Sequence, residues 1–103
     1  MAPGSDGKNQ LMAEDLVRRR VVVHGRVQGV FFRDSMRDRA AAHHVAGWVC
    51  NRPDGAVEAV LEGPEDAVEQ VVRFAQTGPP RAAVTDAQVD EEEPEGLSGF
   101  EIR

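Results

Sequence analysis

The 103-residue chain has one cysteine, one tryptophan, four phenylalanines and no tyrosine. A single cysteine excludes an intramolecular disulfide framework and every zinc or iron–sulfur centre built on several cysteines. No apolar run approaches the ~20 residues of a membrane span, and no signal-peptide core precedes a small-residue cleavage site. A cytoplasmic protein without a membrane partner is expected. The three histidines, His24, His43 and His44, show no metal-ligand spacing, so no metal is expected either.

What remains is enough for one small domain with one core, and too little for a separate cofactor-binding domain. Any site must therefore sit on the loops of that unit, and no cofactor is expected. The net charge of −6 is unevenly spread: nine of the twelve Lys/Arg fall in residues 1–55, and twelve of the eighteen acids fall in residues 56–103. Overall acidity argues against a nucleic-acid partner. The basic first half still allows a local anion site.

Residues 1–17 are polar and without period, and read as a disordered lead, or as a remnant ahead of an original start at Met12. The β-branched run in 18–24 predicts a strand buried at its centre, with Arg18, Arg19 and Arg20 as its solvated entrance. Phe32, Met36, Ala40 and His43 then recur on one face of an amphipathic helix. Strands are predicted over 45–51 and 56–62, joined antiparallel through Asp54-Gly55. Pro64, Glu65 and Asp66 start a second helix that carries Val68, Val71, Val72 and Ala75 on one face and stops at Gly78. A fourth strand over 84–89, a solvated acidic loop over 90–99 and a short fifth strand over 100–102 complete the chain. The βαββαβ order predicts a ferredoxin-like α+β sandwich, an antiparallel sheet of four strands plus a short fifth, with two helices on one face.

The most informative segment joins the first strand to the first helix, His24-Gly25-Arg26-Val27-Gln28-Gly29-Val30-Phe31-Phe32-Arg33. Two glycines ahead of a helix N-terminus can turn successive backbone N–H groups toward one anion, and Arg33 offers a planar fork to a phosphate or carboxylate. Taken alone, the segment reads equally as a plain glycine-bounded turn with a solvated arginine. It lacks the Lys-Ser/Thr pair of a nucleotide P-loop and the third glycine of a dinucleotide fingerprint. In the second segment, Gly47 to Gly55, period two puts Val49 and Asn51 on one side of a strand and Trp48 and Cys50 on the other. Asn51 alone reads as a turn former.

Together, Val-Gln-Gly-Val-Phe-Phe-Arg (27–33) and Gly-Trp-Val-Cys-Asn-Arg-Pro-Asp-Gly (47–55) make the chain resemble the acylphosphatases over about residues 19–103. The resemblance implies hydrolysis of the carboxyl–phosphate bond of a small acyl phosphate, without a metal. It implies that main-chain amides of Gly25, Arg26, Val27, Gln28, Gly29 and Val30 bind the phosphate. Arg33 then holds the phosphoryl group, and Asn51 positions the attacking water. Many relatives carry Thr or a small residue after that asparagine, where this chain has Arg52 followed by Pro53. The leaving carboxylate has a conjugate acid of pKa about 4 and departs without protonation, so no general acid is needed. A monomer is expected.

Two rival readings share these features. RNA-recognition domains share the strand order but stack bases on aromatics of the first and third strands, and neither predicted strand contains one here. The other is a non-catalytic or carbamoyl-phosphate-processing module of a larger maturation system, as in hydrogenase-maturation carbamoyltransferases. A free-standing enzyme is the preferred expectation.

Overall fold

The computed structural model describes residues 16–103. In chain order the elements are β1 (Leu16–Arg26), α1 (Phe32–Ala42), β2 (Ala46–Asn51), β3 (Val57–Pro64), α2 (Glu65–Thr77), β4 (Ala83–Glu92) and β5 (Phe100–Ile102). The sheet order is β4-β1-β3-β2-β5. β1 is antiparallel to both β3 and β4, and β2 is antiparallel to β3. This is the ferredoxin-like α+β plan read from the sequence. The short fifth strand runs parallel to β2, so the sheet is mixed. The reason lies in the connection: the chain leaves β4 at one edge and reaches the opposite edge past the start of β1, which brings β5 in along the direction of β2.

Strand alternation sorts the residues between two faces. Val21, Val23, Val49, Val57, Ala59 and Leu61 point toward the helices and pack with Phe32, Met36 and Ala40 of α1 and Val68, Val71, Val72 and Ala75 of α2. Pro64 opens α2, and Glu65 and Asp66 lie in its first turn, where the helix dipole favours negative charge.

The other face of the sheet corrects two expectations. Arg18 is not solvated: it is 5% exposed and its guanidinium meets Glu62 at 2.7 Å and Glu92 at 2.8 Å. Arg20 pairs with Glu58 and Glu92 and lies over the Trp48 ring, 5.7 Å from its centroid. The acidic stretch after residue 89 is likewise not all loop, because β4 continues to Glu92 with Asp90, Glu91 and Glu92 opposite Arg20, Arg19 and Arg18. A run of like charge reads as loop in isolation; a run of opposite charge on the neighbouring strand makes it a ladder.

The lead expected over 1–17 also overlaps the sheet, since Leu16 and Val17 pair with Pro64 and Gly63. Residues 1–15, with Met12, lie outside the described residues.

Candidate active site

β1, β2 and β3 present one end of the sheet to the N-terminus of α1. In register, Val23 of β1 and Asn51 of β2 both stand opposite Val57 of the intervening β3. Asn51 shares the helix-facing side of β2 with Val49, as the alternation predicted. One residue beyond Val23, the β1–β4 register shifts between His24 and Gly25. Gly25 has φ 119°, and a Cβ there would sit 2.2 Å from the Ala83 carbonyl oxygen. No side chain fits that approach. The resulting bulge bends the end of β1 and aims the following chain over the sheet end.

Residues 27–31 form the turn into α1. Gly29 has φ 75° and Phe31 has φ 64°, while Gln28 and Val30 are not in the left-handed region. Such alternation of backbone sign turns neighbouring N–H groups to one side, the geometry of an anion-binding nest. Phe31 is also the N-cap position of α1, and no side chain caps the helix there. The first N–H groups of α1 thus lack a side-chain acceptor and carry the positive end of the dipole.

A cavity of about 240 Å³ opens at this helix end. Of the residues expected from the sequence, Val27, Gly29, Arg33 and Asn51 line it. Gly25 and Arg26 instead occupy the last two positions of β1, opposite Val84 and Ala83. Val30 is buried in the core. Gln28 turns its side chain away: its Nε2 donates to the carbonyls of Arg52 at 2.8 Å and Ala56 at 2.9 Å. That tie joins the loop to the turn that follows Asn51.

The turn itself is closed by Arg52 N–H donating to the Ala56 carbonyl at 2.8 Å and by Ala56 N–H donating to Asp54 Oδ1 at 3.0 Å. The second of these, with the Arg52 guanidinium, holds the Asp54 carboxyl below the ordinary carboxylate range. Arg52 Nη2 meets Asp54 at 3.0 Å. The arginine that follows Asn51 is thus committed to its own turn.

Two of the residues that line the cavity stand out. Asn51 Oδ1 is buried and, among the described residues, has no hydrogen-bond partner. A buried acceptor left unmade costs about 1–3 kcal/mol, a cost that persists where the atom has a ligand to meet. Arg33, in the first turn of α1, forms no ion pair among the described residues. Arg37, one turn on, meets Asp34 and Asp38 at 3.7 Å each.

Uncapped amides, a cation and an unpartnered acceptor around one small cavity fit a tetrahedral anion with a water beside it. The acylphosphatase family model matches residues 19–102. The chain belongs to the acylphosphatase family. An acylphosphatase of Trichormus variabilis is 53% identical over 95 residues, 92% of this chain and 94% of the relative. The structure of an acylphosphatase from Coxiella burnetii superposes with a TM-score of 0.85 at 37% identity, covering 89% of this chain and 97% of that one. Full-length HypF, solved in a phosphate- and nucleotide-bound form, matches with a TM-score of 0.79 at 28% identity, covering 85% of this chain and 12% of HypF.

Within this acylphosphatase fold, sequence reasoning missed Phe31, Phe32 and Asp34 as cavity residues. Helical periodicity assigned Phe32 to the core, where it is 2% exposed, and gave Phe31 no place at all. A doublet of aromatics at a helix start, only one of which can face the core, was the available signal.

Proposed function

We propose that this enzyme hydrolyses acyl phosphates by in-line attack of a water held by Asn51 on a phosphoryl group held by Arg33 and the backbone amides of the turn into α1. The reading is carried by Asn51, whose Oδ1 is buried without a partner among the described residues and which lines the same cavity as Arg33 and the uncapped start of α1. Its side-chain amide, both acceptor and donor, holds the water and aims an oxygen lone pair at phosphorus. As the new P–O bond forms, the bond from phosphorus to the acyl oxygen breaks and its electron pair leaves with the carboxylate. The water's surplus proton ends on the phosphate product or in solvent. Charge that develops on the equatorial oxygens meets the Arg33 fork and the amides.

Because the leaving carboxylate is a weak base, no side chain has to protonate it. Arg33 supplies the cationic charge, so the reaction proceeds without a metal or another cofactor. Selectivity follows: a phosphate monoester, whose alkoxide leaves poorly, is not a substrate.

We further propose a monomer that acts in the cytoplasm on a small acyl phosphate, without nucleic acid or membrane as partner. Support comes from the net charge of −6 and from the sheet face opposite the helices, where Arg–Glu pairs stand in place of base-stacking aromatics on β1 and β3. Among the described residues no helix is long and apolar enough to cross a membrane.

Phosphate release from benzoyl phosphate, with and without EDTA, beside an ordinary phosphate monoester, tests the function. Release from benzoyl phosphate alone and indifferent to EDTA is expected. Chelator-sensitive or monoester-selective release overturns the mechanism, and binding of acyl or carbamoyl phosphate without release favours the non-catalytic or maturation-module reading.

A further inference from the structure

In-line geometry divides the cavity into a water side and a leaving-group side. With the water on Asn51, the acyl group leaves from the opposite face of the phosphorus, toward residues that hold neither water nor phosphate. At about 240 Å³ the cavity lies just below the roughly 300–1,000 Å³ of pockets that enclose a whole small ligand. It takes the phosphoryl group and leaves room beside it, so the acyl group lies against the lining and rim of the cavity.

The lining residues leave one apolar surface for it. Val27 and Phe32 are 1% and 2% exposed, their side chains spent on the core. Gly29 has no side chain, and Arg33 is engaged by phosphate. Phe31 is 69% exposed, the most exposed large hydrophobic residue among those described, and it lines the same cavity.

Its backbone points the same way. A bulky side chain at φ 64° is a rare conformation, and a glycine or asparagine would occupy it with less strain. Strained, exposed and apolar, Phe31 gains nothing visible from the fold, and such outliers concentrate where a ligand is met. Asp34, also on the cavity lining, is turned to Arg37 at 3.7 Å.

We propose that Phe31 is the acyl-binding wall of this cavity, which selects aromatic or other large apolar acyl groups over short ones. The inference rests on the hydrolytic reading above and refines its substrate class. Stacking or edge contact with an aryl acyl group covers ring surface that is otherwise in water.

The test compares benzoyl phosphate with acetyl phosphate in the wild-type protein, Phe31→Gly and Phe31→Ala. Both substitutions remove the ring without adding a side chain that could cap α1, and glycine also tolerates the left-handed backbone, so the loop keeps its shape there. The ratio of kcat/KM for benzoyl over acetyl phosphate should fall by about 10-fold in both variants, mainly through KM for benzoyl phosphate. Inorganic phosphate, which has no acyl group, should inhibit all three proteins with the same constant. An unchanged ratio overturns the assignment, as does an equal loss on both substrates with weaker phosphate inhibition, which would make Phe31 a loop-shaping residue. A wild-type protein that cleaves neither substrate sinks the hydrolytic reading itself, whereas one that cleaves both with the ratio of its variants sinks only this inference.

Discussion

Arg33 is placed where its charge is locally unfavourable. The positive end of a helix dipole disfavours a cation, and Arg33 sits in the first turn of α1 with no carboxylate in ion-pair range among the described residues. Arg18, Arg20, Arg37 and Arg52, by contrast, all have acidic partners. A bound anion reverses the balance, because it satisfies the helix amides and the guanidinium together. The planar fork matters as much as the charge. Arg33→Lys should therefore weaken competitive inhibition by inorganic phosphate by about 10-fold or more, since an ammonium cannot make the paired hydrogen bonds. An inhibition constant equal to that of the wild type would remove Arg33 from the phosphate site. The type and position of Arg33 were legible in the sequence; its lack of a partner was not, because carboxylates distant in sequence, such as Glu58, Glu62 and Glu92 on Arg18 and Arg20, share in deciding which arginines are free.

At the level of elements, the loop between β1 and α1 is shaped by contacts that local pattern does not reveal. Gly25 was singled out as a source of a phosphate-binding amide, whereas the structure places it in β1 and gives it a steric reason, the 2.2 Å that a Cβ would leave to the Ala83 oxygen. Gln28 was placed in the same loop, yet its side chain spans to the carbonyls of Arg52 and Ala56. One side chain thereby fixes the loop relative to the turn after Asn51. Such a link depends on tertiary distance, and neither periodicity nor turn chemistry encodes it.

The β1–β4 ladder hid in the sequence for a similar reason, as each strand alone looks like a charge run. Arg20 and Arg18 hold the Glu92 carboxyl down, from the ordinary 4.5 to about 2. Glu62 is lowered too: burial opposes its charge but is outweighed by N–H donation from Glu95, Leu97 and Gly96 and by the Arg18 guanidinium. For carboxylates held below their unfolded value, the stabilisation is complete above about pH 4.5 and is lost as pH falls toward the folded value. The wild-type Tm should fall steeply between pH 4.5 and about 2. Glu92→Gln should lower Tm at neutral pH and flatten that fall, as followed by circular dichroism. Parallel wild-type and variant curves would show that the ladder does not govern acid stability.

For the molecule as a whole, the uneven charge noted in the sequence has two structural meanings. Part of the basic first half, Arg18 and Arg20, is neutralised by acids of the second half on β3 and β4. What stays unpaired at the cavity is Arg33. The fold order and the two motif segments were readable because strand and helix periods and the Asp54-Gly55 turn are local properties. The parallel pairing of β5, the extent of β4 and the exposure of Phe31 were not, since each is settled by elements far apart in the chain. The sandwich holds one acceptor, one guanidinium and one row of amides at the end of its sheet, and the account stands on the acceptor. The most direct measurement is the turnover of benzoyl phosphate by Asn51→Ala, read beside its inhibition by inorganic phosphate. A drop in kcat of about 100-fold or more with phosphate affinity retained is the predicted result; near-normal turnover, or loss of phosphate affinity in step with activity, would contradict a water held by Asn51.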